Sequence, residues 1–169
     1  MKPIKYLLSF IVVCSICGVF FFPLLVYANE HEANRILVSA ESLFKAMKER
    51  NYTEIWKHLT AESKRIIVDN VYRTSVKLGN NPSRERLNDD FHSGKATAKA
   101  YWNSYMTAFD PGMVLEQSTW KIHLVKKEYA EINILYVKSN KPATLQLYKE
   151  DGIWKVGLEE TFRPRKWLY

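Results

Sequence analysis

The side chains able to do acid–base chemistry are few and scattered along this sequence. His31, His58, His92 and His123 share no H-x-x-x-H or H-x-x-E-H spacing, so a metal would need ligands gathered wholly by tertiary folding. Asp110 with Tyr105 and Tyr148 comes nearest to a proton-transfer set, a carboxylate to carry the proton and phenols to donate to a developing oxyanion. Each has a plainer explanation. Asp110 stands before Pro111-Gly112, where a turn asks for that residue type, and Tyr105 falls in an apolar stripe. No G-x-S-x-G, G-x-x-x-x-G-K-[ST] or G-x-G-x-x-G occurs, which removes the common nucleophile-elbow and nucleotide-binding signatures. The expectation is a protein with no catalytic residue, no metal and no cofactor.

Binding chemistry is better represented. Trp56, Tyr101, Trp102, Tyr105 and Trp120 would line a pocket for a small apolar ligand, although aromatic residues at helical spacing are as a rule core. A second group closes the sequence: Arg163, Arg165, Lys166 and Trp167 set cations beside an aromatic ring, a combination suited to anionic headgroups or an acidic partner, or simply to a chain end folded back on the domain. Asn51-Tyr52-Thr53 fits a glycosylation sequon and is taken as chance.

Residues 1–28 read as a signal peptide or transmembrane anchor. Tyr6–Asn29 is a run of 24 residues without a charge, preceded by Lys2 and Lys5. About 20 apolar residues suffice to cross a hydrocarbon core of roughly 30 Å. Val26-Tyr27-Ala28 also offers a signal peptidase its small residue, and Pro23 breaks the helix just upstream. Either way the two lysines hold the N-terminus inside, and everything from Asn29 lies outside the cytoplasm, facing or released into the periplasm. Cys14 and Cys17, the only cysteines, fall inside this apolar run, so their C-x-x-C spacing signals neither a redox pair nor half a zinc site. The exported part must therefore hold together by packing alone, and a domain of its size buries roughly 70% of its unfolded surface.

Between residues 29 and 162 the patterning predicts helices first and strands later. Leu37, Ala40, Phe44 and Met47 recur at helical steps until Asn51; Tyr52, Ile55, Trp56 and Leu59 share a face; Thr60 caps a helix bearing Ile67, Val68, Val71 and Tyr72. Ser83 caps a short helix through Leu87 and Phe91, and after Gly94 a helix carries the aromatic stripe to Phe109, where Asp110-Pro111-Gly112 makes a turn. Four alternating segments follow: Trp120-Ile122-Leu124, Ile132-Ile134, Leu145-Leu147 and Trp154-Val156-Leu158. Their short links favour sequential antiparallel pairing, so the expected architecture is α+β, helices packed on a curved four-stranded sheet.

Two stretches resemble a family. Ser42-Leu43-Phe44-Lys45-Ala46, leading to Asn51-Tyr52-Thr53-Glu54-Ile55-Trp56 and Leu59-Thr60-Ala61-Glu62-Ser63, is similar to the opening of NTF2-like (cystatin-like cone) domains of exported bacterial proteins. Leu145 through Val156, with its Asp151-Gly152 turn, is similar to that family's last hairpin. The resemblance implies a cone-shaped pocket between sheet and helices, on a fold shared by enzymes such as ketosteroid isomerase and polyketide cyclases, by ligand binders and by assembly subunits. One transmembrane helix followed by this fold also resembles the periplasmic core component of type IV secretion systems.

Charge narrows the partners. Of the net +7, Lys2 and Lys5 belong to the export segment and Arg163, Arg165 and Lys166 to the tail at 163–169; removing those five cations leaves the body at +2. A nearly neutral body outside the cytoplasm does not fit a nucleic-acid partner. The expected role is a non-catalytic envelope module that binds a small ligand or a protein, with an assembly subunit and a pocket enzyme as the alternatives. Intact-mass measurement of the purified protein decides the fate of the first segment: a chain beginning at Asn29 means cleavage after Ala28, and one beginning at Met1 means a retained anchor.

Overall fold

The computed structural model describes residues 30–162; the export segment with Cys14 and Cys17, and the tail with Arg163, Arg165, Lys166 and Trp167, lie outside the described residues. Among the described residues no helix is long and apolar enough to cross a membrane. The architecture is α+β. A first helix, α1 (residues 30–48), is followed by α2 (Tyr52–His58), α3 (Ala61–Lys77), α4 (Arg84–His92), α5 (Ala96–Ala108) and α6 (Pro111–Glu116). Then come β1 (Ser118–Val125), β2 (Tyr129–Tyr136), β3 (Ala143–Glu150) and β4 (Ile153–Val156), and a last turn of helix, α7 (Leu158–Phe162). The sheet is antiparallel throughout, in the order β1-β2-β3-β4.

Each strand buries alternate residues. Ile122 faces Ile132, Ile132 faces Leu145, Ala130 faces Leu147 and Leu147 faces Val156, which makes one apolar surface across all four strands. On it α1 lays Ile36, Ala40, Leu43, Phe44 and Met47, all buried in one cluster with the sheet residues. The β3–β4 hairpin closes on Asp151 (φ 50°) and Gly152 (φ 77°). Two central residues with positive φ are what a two-residue turn needs to match strand twist.

Helix starts follow local chemistry. Asn51, Thr60 and Ser83 each accept a backbone N–H from the first turn they precede, at 3.3, 3.0 and 3.2 Å. For α5 the cap comes from elsewhere: the Asp90 carboxylate on α4 accepts from the N–H groups of Thr97 (3.1 Å) and Ala98 (3.2 Å). Capping of this kind satisfies donors that the helix itself leaves open.

Three expectations are corrected. Asp110-Pro111-Gly112 does not end the helical region; the Asp110 side chain accepts from Met113 N–H at 3.1 Å and starts α6 with Pro111 in its first turn. Proline is tolerated there because that N–H has no helical partner anyway. Leu124 does not share the apolar face of Trp120 and Ile122. The β1–β2 register shifts between Ile122 and Leu124, so Leu124 stands opposite Glu131 and Val125 joins the core side instead. An extra residue in one strand turns the following side chains over. Finally, Leu158 is not a strand residue. β4 stops at Val156, Gly157 passes so close beneath the Tyr148 ring that a Cβ would lie 2.8 Å from it, and Leu158 begins α7 while remaining buried.

Phe44 is the pivot of α1. It is 1% exposed, with ring centroids 5.7 Å from Phe109 and 5.2 Å from Trp120. Phe44→Ala is expected to lower unfolding stability by about 3–5 kcal/mol, the usual cost of a large cavity in a packed core, read as a shift in the urea midpoint.

Candidate functional site

The five aromatic residues singled out in the sequence are joined in the fold. Ring contacts run from Trp56 to Phe91 (4.8 Å, stacked), on to Tyr101 (5.4 Å), Trp102 (5.0 Å), Tyr105 (5.7 Å), Phe109 (5.6 Å), Phe44 and Trp120. Trp56 and Trp102 are core, 3% and 0% exposed. The space between α1 and the sheet is occupied by side chains such as Leu43, Phe44 and Met47. Trp120 donates its indole N–H to the Val114 carbonyl at 3.3 Å and borders a charge-rimmed cavity of about 690 Å³ with Glu41, Lys45 and Lys48. Tyr101 and Tyr105 meet a second cavity, the one with an apolar lining.

That cavity is a groove of about 490 Å³ between α3 and α5. One wall carries Asn70, Val71, Thr74 and Ser75, and the other Thr97, Ala100, Tyr101, Ser104 and Tyr105. The reason is periodic. On α5 the small residues Thr97, Ala100 and Ser104 recur at steps of three and four, which keeps the two helices from filling the space between them, while Tyr101 and Tyr105 sit one turn apart beside them. Behind the two phenols stands Trp102, whose buried Nε1–H has no hydrogen-bond partner among the described residues.

The phenols are chemically distinctive. Burial, reinforced by the carboxylate of Glu159, pushes the Tyr105 hydroxyl up to about 12 and the Tyr101 hydroxyl higher still, so both stay neutral at any physiological pH. Neither hydroxyl is hydrogen-bonded to another described residue. Two neutral groups, each able to donate and accept, thus border an apolar-floored groove.

Asp110, Tyr105 and Tyr148 are not brought together. Asp110 is exposed and serves as the α6 cap, with the Lys48–Glu116 ion pair (2.6 Å) close by. Tyr148 donates to Gln146 at 2.9 Å, and its ring rests on Tyr129 at 5.2 Å. The ring contacts of Tyr105 run instead to Trp102 and Phe109. Among the described residues there is no group of three His, Cys, Asp or Glu side chains able to hold a metal. His123 lies at 3.8 Å from Glu131, and His58, half-buried, ends α2.

The sequence did not single out Asn70, Thr74, Ser75, Thr97 and Ser104 on the groove walls. Their signal was a hydroxyl-and-small stripe at helical spacing on two separate helices, readable only once those helices are known to face each other. No family model matches the chain, and no curated protein and no solved structure matches it either.

The raised phenol pKa values have a sign. A proton held more tightly by the folded than by the unfolded chain stabilises the fold below pH 10, and that contribution is lost as pH rises from 10 through about 12. Tyrosinate absorbance followed against pH should show Tyr101 and Tyr105 titrating last, together with a fall in the urea midpoint above pH 10; Tyr101→Phe/Tyr105→Phe should flatten that fall.

Proposed function

We propose that this chain is an exported, non-catalytic envelope module of the NTF2-like kind, held by its N-terminal segment or released, which binds a small and largely apolar ligand in the α3–α5 groove. The observation that carries the reading is the pair of neutral hydroxyls of Tyr101 and Tyr105 at the edge of that groove, neither hydrogen-bonded among the described residues. A polar group that is partly desolvated and lacks an internal partner stands to gain when a ligand supplies one. The ligand chemistry that fits is an apolar body to cover Val71 and Ala100, with a carbonyl or ether oxygen to accept from the phenols and a donor for the hydroxyls of Thr74, Ser75 and Ser104.

The order of elements, a long α1 crossing a four-stranded antiparallel sheet, supports the cone reading. The ligand is placed outside the cone because side chains of α1 already occupy its interior. Titrating the full chain in detergent with a panel of small apolar ketones, esters and amides tests this. Amide shifts should concentrate at Asn70–Ser75 and Thr97–Tyr105, and Tyr105→Phe should weaken the best binder about five-fold, the worth of one net hydrogen bond of about 1 kcal/mol. Shifts clustered elsewhere, or affinity untouched by the loss of both phenols, would remove the groove from consideration.

A further inference from the structure

A second feature lies at the β4 edge of the sheet, apart from the groove. The segment following α2 makes a parallel bridge between Leu59 and Val156, and Thr60 N–H donates to the Val156 carbonyl at 3.1 Å. Both bridge residues are fully buried. The residues just before them in each segment, His58 and Lys155, are therefore set next to each other. Lys155 Nζ donates to the Lys57 carbonyl at 2.6 Å, which fixes its ammonium at the end of α2. Lys64, one turn into α3, lies with its Nζ 5.8 Å from the Trp56 ring centroid on the same side. His58, Lys64 and Lys155 are all half-buried.

The carboxylates nearby are committed elsewhere. Glu54 pairs with Lys57 at 2.6 Å, and Glu150 accepts the Ala61 N–H at 2.9 and 3.2 Å. No carboxylate among the described residues forms an ion pair with His58, Lys64 or Lys155. Residues 1–29 and 163–169 contain no Asp or Glu to supply one. The cost of this arrangement shows in its protonation. Burial and then the Lys155 charge hold the His58 imidazole below its ordinary value and the Lys64 ammonium below its own, with Lys57 and Lys64 adding to the effect on His58 and with Glu54 and Glu150 only partly offsetting it. A cation at the C-terminal end of α2 accounts for Lys155 alone; it does not account for two more basic groups packed against it. Among the described residues the charges set against His58, Lys64 and Lys155 are those of Glu54 and Glu150, both already hydrogen-bonded elsewhere, so a further anion between the basic groups would relieve their mutual repulsion.

We propose that His58, Lys64 and Lys155 form a binding notch for a phosphate-bearing group. Two ammonium groups and an imidazole supply donors to three oxygens of one tetrahedral anion, where a carboxylate offers only two. The backbone N–H groups at the start of α3 take no part, because Glu150 and Thr60 already occupy them. The same tetrahedral chemistry is offered by a lipid headgroup and by a free phosphate or phosphomonoester.

The test uses the full chain in phosphatidylcholine nanodiscs and follows the His58 imidazole by NMR. One arm adds inorganic phosphate against a chloride control, and the other replaces part of the lipid with phosphatidylglycerol. Occupation should raise the His58 pKa by about one unit, because an added anion favours the imidazolium, and the Lys64→Gln/Lys155→Gln double variant should abolish the rise while keeping the chloride-state spectrum. A response to phosphate alone identifies a soluble ligand, and a response to phosphatidylglycerol alone identifies a headgroup. A His58 titration identical in chloride, phosphate and phosphatidylglycerol, or a rise that survives the double variant, would overturn the proposal.

Discussion

Everything in this fold that could serve a ligand depends on how α3 begins. Its first turn leaves backbone N–H groups with no helical partner, and the chain meets them with groups from its far end. Thr60 accepts from Ser63 N–H and donates to Glu160 at 2.6 Å; Ser63 donates to the other oxygen of the same carboxylate and accepts from Glu159 N–H at 3.0 Å; Glu150 takes the Ala61 N–H. Thr60 and Ser63 are 1% and 0% exposed, the only polar residues in the buried set among the described residues. Hydrogen bonds to a charged group are worth about 1.5–3 kcal/mol each when desolvated. The junction therefore pins the sheet's last strand and α7 to the start of the longest fully described helix.

Both candidate sites are consequences. Fixing α3 at its N-terminus sets the wall of Asn70, Val71 and Thr74 opposite α5, while Asp90 fixes α5 from the other side, so the groove is held at both helix starts rather than by contact across it. The same junction carries the Leu59–Val156 bridge, and with it the juxtaposition of His58 and Lys155. Bringing α7 onto α3 also delivers the Glu159 charge, which adds to burial in raising the two phenols. A rigid support with polar groups left unpaired at its surface is what pre-organised binding asks for.

Features that depend on neighbouring residues were legible in the sequence: the caps at Thr60 and Ser83, the Asp151-Gly152 turn, the alternation of Ile132 with Ile134, and the antiparallel order. Those that depend on distant partners were not. Asp110 is equally at home in a turn or at a cap, and only the residues after it show which. The bulge before Leu124 leaves the local alternation unbroken, and nothing but the register against β2 reveals it. Leu158 reads as the next apolar residue of a strand until the Tyr148 ring above Gly157 stops that strand. Within the aromatic set, spacing could not separate the core rings of Trp56 and Trp102 from Tyr101, Tyr105 and Trp120, which border open space. The wall of small and hydroxylated residues went unnoticed because it is shared between two helices.

The dependence on the α3 junction is most directly examined by native-state hydrogen exchange of the amides of Thr60, Ala61, Ser63 and Glu159, whose acceptors are Val156, Glu150, Thr60 and Ser63. If the junction holds the fold together, these four should exchange only on global unfolding, with the same protection free energy as the amides of Ile132 and Leu147 in the central strands. Exchange of the four by a separate local opening, while β2 and β3 remain protected, would contradict it.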